Sequence, residues 1–600
     1  MSTAKASVSD AVPPCPLIQE ISSEGLSADE WKARGNKHFN EGKYNEAIEC
    51  YDKAIEISPS APLYSNRSLC NIRLENYGYA VQDATLAIKT DPTFQKGYYR
   101  RGCAYLQLKQ FNEAIADLKK QAELTPNNLE VRTKLNEART KLSSLFSKAI
   151  SLPSSQASAL ITSEKSHLTI PESYAGPRFS FPITSSNCPS TLITEETATW
   201  MRSQKLIPYG YVIPLLEQMI TVFSSEPNLV TVPLTRRGVT VVGDTHGQFY
   251  DLLNIFRLNG FPSEDNIYVF NGDYVDRGSF SMEVILFLFL LKARYPKHLI
   301  LLRGNHETDN MNEMYGFKGE CDAKYNKQLF PIFSHVFNHL PICALLTDEE
   351  ELKKEDEEKE EGKEEGKEEE EEEEENKKNK KKKTPTRVLC VHGGIPTTDG
   401  VKLSQIQAFD RKQQPPDDPE SIFADLVWTD PQQQPGRSPS PRGVRYMFGP
   451  DVTEQFLADN DLSYIIRSHQ VVDEGFELNH GGKCITVFSA PHYCDFQTNK
   501  GSIMKVRPRW LAEELKEDLK GKKDKQDKQG KQEGGCFWMT EEEMKAERQA
   551  LLDEAAAFDK MGAKVIPCNV QGLTIVQFDQ VPHPPVAAMK YSPFSRFGFF

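Results

Sequence analysis

Two regular patterns of apolar and polar positions follow one another along this chain. In the first, Tyr44, Tyr77 and Phe111 recur at intervals of 33 and 34 residues. Ala47, Ala80 and Ala114 keep the same period, as do Pro59, Pro92 and Pro126. Small, aromatic and proline residues at fixed offsets of this period mark stacked helix pairs, because one pair cannot bury its apolar face alone. Three units are predicted over about 28–128, closed by a helix over 129–150. In the second pattern, short runs such as Val239-Thr240-Val241-Val242, Ile267-Tyr268-Val269-Phe270 and Leu299-Ile300-Leu301-Leu302 show no polar alternation. They predict strands covered on both faces. The expected fold class is multidomain, an all-α solenoid followed by an α/β domain.

Polar clusters stand at the ends of such strands. In order they are Gly243-Asp244-Thr245-His246-Gly247, Asn271-Gly272-Asp273-Tyr274-Val275-Asp276-Arg277-Gly278, Arg303-Gly304-Asn305-His306-Glu307, Val391-His392-Gly393-Gly394 and Ile466-Arg467-Ser468-His469. Taken singly, Gly-Asp after a strand is a turn, since Gly allows positive φ and Asp bonds its own backbone. Several such clusters at successive core-strand ends would cost desolvation with no return unless they meet in one site. Their donors are nitrogen and oxygen only, which suits two divalent metals and a phosphate. None of the twelve cysteines lies in a Cys-x5-Arg loop, so a cysteine nucleophile for phosphate transfer is excluded.

The motifs Gly-Asp-x-His-Gly, Gly-Asp-x-Val-Asp-Arg-Gly, Gly-Asn-His-Glu, His-Gly-Gly and Arg-Ser-His, in this order, resemble those of the phosphoprotein phosphatase family of metallophosphoesterases. The resemblance covers most of 180–506 and resumes at about 570–590. It implies a β-sandwich flanked by helices and hydrolysis of phosphoserine and phosphothreonine in protein substrates. It implies two divalent ions, manganese in vitro with iron or zinc as alternatives. Asp244, His246 and Asp273 would hold one, and Asp273, Asn305, His392 and His469 the other, with Asp273 bridging. A metal-bridged hydroxide would attack phosphorus in line. Arg277, Asn305, Tyr493 and Arg442 (in Ser440-Pro441-Arg442-Gly443-Val444) would bind the phosphate. His306 would be the general acid, with Asp276 fixing its tautomer and raising its pKa. The loop Ala490-Pro491-His492-Tyr493-Cys494 departs from the family, which has Asn at the position of His492.

The repeats resemble tetratricopeptide units. Lys32 and Asn36, Asn66, and Lys96 and Arg100 match the carboxylate clamp of chaperone-binding tetratricopeptide domains. That match implies docking of the C-terminal Glu-Glu-Val-Asp tails of ninety- and seventy-kilodalton heat-shock chaperones. The stretch Gly243–Asn254 and the tail Val581-Pro582-His583-Pro584 narrow the resemblance to family members that carry such repeats. In those relatives the repeat domain folds over the catalytic cleft, and Glu75 matches the position that contacts the active site, where its carboxylate would pair with Arg277 and inhibit.

The six hundred residues divide into an N-terminal tail (1–25), the repeat domain (26–150), a Ser- and Pro-containing linker (151–180), the catalytic domain (181–590) and a C-terminal tail (591–600). Inserts at 349–384 and 507–566 are expected to be surface excursions, the second offering a capping-box helix start at Thr540-x-x-Glu543. The net charge of −14 owes much to acidic stretches and gives no reason to expect nucleic acid as a partner. The longest apolar run, Val284–Leu291, is too short to span a bilayer. Scattered cysteines and the lack of a basic-then-apolar leader point to reduced thiols in the cytoplasm and nucleus. Two other readings stay open: a metallophosphoesterase for nucleotides or polyphosphates, and an inactive chaperone-binding scaffold.

Overall fold

The computed structural model describes residues 26–592 except for 109, 126–127, 148–153, 166–167, 349–385, 443, 510, 512–540, 567 and 571. The repeats form α1 (Ala28–Asn40), α2 (Tyr44–Ile57), α3 (Ala61–Arg73), α4 (Tyr77–Thr90), α5 (Gln95–Gln107) and α6 (Phe111–Leu124), followed by α7 (Leu129–Ser147). Ser27 opens α1 with a reciprocal cap: its hydroxyl accepts from Glu30 N while the Glu30 carboxylate accepts from Ser27 N at 2.8 Å. The periodic alanines Ala47, Ala80 and Ala114 are fully buried, so the helices meet without intervening side chains. Arg67 ties the units together by pairing with Asp52 on α2 and Asp83 on α4.

The unalternating apolar runs become two six-stranded sheets packed face to face. One has the order β1 (Leu229–Leu234), β5 (Cys343–Asp348), β6 (Arg387–Val391), β10 (Tyr464–Arg467), β12 (Cys484–Val487), β11 (Phe476–Asn479). The other runs β14 (Ala563–Ile566), β15 (Leu573–Phe578), β13 (Gly501–Val506), β2 (Val239–Val242), β3 (Ile267–Phe270), β4 (Leu299–Leu301). Val241, Val269 and Ile300 from one sheet meet Leu346, Val388 and Ile466 from the other. Helices Phe249–Asn259 and Ser281–Arg294 cover one outer face, and Ile422–Trp428 and Pro450–Asp459 the other. Both faces of each central strand are therefore dry, which accounts for the missing alternation. A small third sheet joins β7 (Asp430–Pro431), β9 (Tyr446–Phe448) and β8 (Arg437–Pro439).

Topology brings the polar clusters together. Strands β2, β3 and β4 are mutually parallel, as are β6 and β10, so their C-terminal ends open at common edges. Asp244 bridges to Phe488, joining the two sheets at that mouth.

Two expectations need correcting. The linker contains a helix, α8 (Ser154–Lys165), whose Ile161 is buried in the catalytic core and whose Glu164 accepts from Tyr209 Oη at 2.9 Å. The second insert is more than a surface excursion. Its helix Glu541–Lys560 buries Phe558 in the core, ion-pairs Glu554 with Lys505 and Arg507, and leads into β14, the edge strand of the sheet. Apolar pairing with β15 decided this outcome, and the Lys-rich composition ahead of the helix hid it. Phe558→Ala should lower unfolding free energy by about 3 kcal/mol, measured by denaturant titration. A loss near zero would return the insert to the surface. Thr540 and the first insert lie outside the described residues.

Candidate active site

The site is built on residues in unusual backbone conformations. His246 (φ 39°), Asp273 (φ 54°), Asp276 (φ 71°), Arg277 (φ 69°) and His469 (φ 69°) all take left-handed angles that cost non-glycine residues energy. Surrounding bonds hold them there. The Glu307 carboxylate accepts from the backbone N–H groups of Asp273 (2.9 Å), Tyr274 (2.8 Å) and Gly304 (2.9 Å). A Cβ at residue 304 would sit 2.1 Å from Asp273 Oδ1, so only glycine lets the two loops approach this closely.

All six residues expected to bind metal converge, and all are buried. His246 Nε2 lies 3.4 Å from Asp273 Oδ2 and 3.8 Å from Asp244 Oδ2. His392 Nε2 lies 3.3 Å from Asp273 Oδ1 and 3.3 Å from His469 Nδ1. The other ring nitrogens of His246 and His392 donate to backbone carbonyls, Val275 O at 3.0 Å and Asn271 O at 2.8 Å, which leaves each Nε2 as a lone pair facing inward. The Asn305 amide oxygen sits among acceptors, 2.9 Å from both His392 Nε2 and His469 Nδ1. Turning the amide over would let it donate to them; a cation would take the oxygen as it stands. Burial pushes Asp244 up to about 7, with Asp273 adding repulsion, and Asp273 up to about 8. Lone pairs and carboxylates gathered in a dry site, where Arg277, Arg442 and Arg467 only partly offset the repulsion, fit two divalent cations. His306 falls beside His246 and Asp273 in one three-residue group, while Asp273, His392 and His469 form the other.

The expected proton donor and phosphate ligands flank this cluster. His306 Nδ1 meets Asp276 Oδ2 at 2.8 Å. Burial, reinforced by His246 and Arg277, lowers the His306 pKa, contrary to the expectation that Asp276 would raise it. Asp276 is pushed up, also by burial. Arg277 is fully buried, and its guanidinium lies 3.5 Å from the ring centre of Tyr315. Arg442 donates to Asp430 Oδ2 (2.6 Å) and to His469 O (2.9 Å). The Tyr493 ring lies 5.2 Å from that of His246. His492 adopts the left-handed conformation (φ 48°) and donates from Nδ1 to Gln497 O, so the unexpected residue closes its loop by its own bond.

The repeat domain reaches this cleft, a cavity of about 950 Å³ lined from both sides. Glu75, in the α3–α4 turn with φ 63°, ion-pairs with Arg277. Tyr77 Oη meets Tyr315 Oη at 3.1 Å, and Gly78 N donates to Pro441 O. Of the clamp positions, Asn66 donates to Asn36 Oδ1 at 3.1 Å, and Arg100 donates to Ser65 Oγ at 3.0 Å. Lys32 is half-buried and Lys96 exposed. Glu307, Asp430 and Tyr315 escaped the sequence reading. Glu307 stood inside a quoted motif, whereas Asp430 and Tyr315 carry no local signal.

Paired carboxylates, inward-facing imidazoles and buried arginines at the mouth of a β-sandwich define a metallophosphoesterase, here preceded by helical repeats. Residues 238–473 match the calcineurin-like phosphoesterase family, 28–60 and 95–128 match tetratricopeptide repeats, and 136–231 match the PPP5 TPR repeat region. The chain is 42% identical over 483 residues to human serine/threonine-protein phosphatase 5, covering 80% of this chain and 88% of the relative. It is 40% identical over 494 residues to serine/threonine-protein phosphatase T of Trypanosoma brucei brucei, covering 81% and 94%. It is 36% identical over 555 residues to the Arabidopsis thaliana serine/threonine-protein phosphatase 5, covering 83% and 94%. The chain belongs to the serine/threonine-protein phosphatase 5 family and is a protein-serine/threonine phosphatase, a phosphoric monoester hydrolase. Among the described residues no helix is long and apolar enough to cross a membrane.

Proposed function

We propose that this chain hydrolyses phosphoserine and phosphothreonine with two divalent ions, that its repeat domain holds the cleft closed, and that chaperone tails open it. The observation that carries this reading is the Glu75–Arg277 ion pair. A carboxylate rests on the buried guanidinium best placed to receive a phosphate. Bound ions would be held by Asp244, His246, Asp273, Asn305, His392 and His469, and would supply an activated water and charge neutralisation. Arg277 and Arg442 would take phosphate oxygens, Arg277 with Nη2 now facing Glu75 and with Nε and Nη1 that make no hydrogen bond among the described residues, and Tyr493 would stand beside them. His306, tied at Nδ1 to Asp276, would present Nε2 to the leaving serine oxygen.

Docking of a Glu-Glu-Val-Asp tail falls to Lys32, Asn36, Asn66, Lys96 and Arg100. The Asn36–Asn66 contact and the proximity of Arg100 to Ser65 support a shared ligand surface across α1, α3 and α5. Arg100→Ala should weaken tail-peptide binding by about 1.5–3 kcal/mol in calorimetry, because a charge-assisted donor is lost. Unchanged affinity would remove Arg100 from the clamp. The reading as a whole is tested by assaying a phosphoserine peptide with and without a free Glu-Glu-Val-Asp peptide. Stimulation by the tail is expected. Preference for a dinucleotide over the phosphopeptide would favour the other esterase chemistry, and no hydrolysis of either by metal-loaded protein would favour a scaffold.

A further inference from the structure

Helix Asp309–Tyr315 runs behind the proton-donating pair between Thr308 and Gly316, the latter at φ 125°. Its Asn312 is fully buried. Asn312 Nδ2 donates to Asp276 Oδ2 at 2.9 Å, the same oxygen that meets His306 Nδ1 at 2.8 Å. The same nitrogen donates to His306 O at 2.6 Å. One amide thus closes a ring through the Asp276 carboxylate and both ends of His306, fixing the imidazole against its own backbone. Phe317 N holds the second Asp276 oxygen at 2.8 Å.

The amide carries a cost that packing alone would not select. Asn312 Oδ1 is buried with no hydrogen-bond partner among the described residues. An unsatisfied buried acceptor is destabilising, whereas an apolar residue of similar size would leave none. What the site gains is the two donors. Three residues further on, Tyr315 lies under Arg277, so one short helix supports both the proton donor and a phosphate ligand.

We infer that Asn312 is a positioning residue for leaving-group protonation, aligning His306 Nε2 through Asp276. The inference rests on the reading of His306 as general acid. It makes no claim on Asn312 touching substrate.

Serine alkoxide needs a proton as it leaves, whereas 4-nitrophenolate is stable without one. In the metal-loaded full-length chain, Asn312→Ala should lower kcat on a phosphoserine peptide by about tenfold or more and on 4-nitrophenyl phosphate by about threefold or less. His306→Asn should show the same split, and adding Asn312→Ala to it should cause no further loss, because both act on one step. Asn312→Ser, which keeps a donor, should fall between wild type and Asn312→Ala. Equal losses on both esters would overturn the inference, as would a full additional loss in the His306→Asn background. Loss of metal or of the folded state in both Asn312 variants would overturn it too, making Asn312 a residue of the fold. A split for His306→Asn without one for Asn312→Ala defeats this inference alone. No split for His306→Asn defeats the general-acid reading beneath it.

Discussion

Asp273→Asn is expected to reduce turnover on a phosphoserine peptide by roughly three orders of magnitude, about 4 kcal/mol of transition-state stabilisation. Among the six expected ligands, this carboxylate touches both halves of the cluster, His246 Nε2 at 3.4 Å and His392 Nε2 at 3.3 Å. Its Oδ1 also accepts from His306 N at 2.9 Å, so it sets the backbone from which the His306 imidazole projects. Replacing one oxygen by an amide nitrogen would remove the negative charge that a ligand to both cations would share between them, and would offer a donor where a lone pair would be needed. Elemental analysis of the purified variant should find at least half of the bound metal gone. Wild-type metal content together with wild-type turnover would contradict a bridging role.

His306→Asn is expected to cut turnover on the same peptide by roughly 100-fold while metals remain bound. The imidazole is held at Nδ1 by Asp276 and stands in T-shaped contact with the His246 ring, 4.7 Å between centres. Asparagine can occupy the space but cannot pass a proton to the leaving oxygen. Asp276→Asn should show a smaller loss, since the imidazole stays in place with its tautomer less constrained. Full activity of His306→Asn on phosphoserine would remove this residue from the reaction.

The sandwich was legible because its strands are dry on both faces, as at Val239–Val242 and Ile267–Phe270, and because short motifs mark their ends. The parallel pairing that brings Asp244, Asp273, Asn305, His392 and His469 together could be expected only through the family resemblance. No local pattern encodes which strand ends meet. The repeat period marked the helices directly, since stacking requires small residues at fixed offsets. What sequence reading missed depends on long-range contact: Ile161 reaching the catalytic core from a segment that reads as linker, Phe558 reaching it from within the second insert, and Asp430 meeting Arg442 and Arg467 from a two-residue strand. The lowered pKa of His306 escaped for a related reason. Burial outweighs the neighbouring carboxylate, and the depth of burial cannot be read from the motif.

Glu75, paired with Arg277, decides whether the groove receiving phosphate is also the groove closed by the repeat domain. The measurement is the initial rate of phosphate release from a phosphoserine peptide by the metal-loaded full-length chain, wild type against Glu75→Ala. Loss of a charge-assisted pair worth about 1.5 kcal/mol or more predicts a basal rate raised about tenfold, with little added by a Glu-Glu-Val-Asp peptide. Equal basal rates for the two proteins, with both still stimulated by the tail peptide, would contradict it.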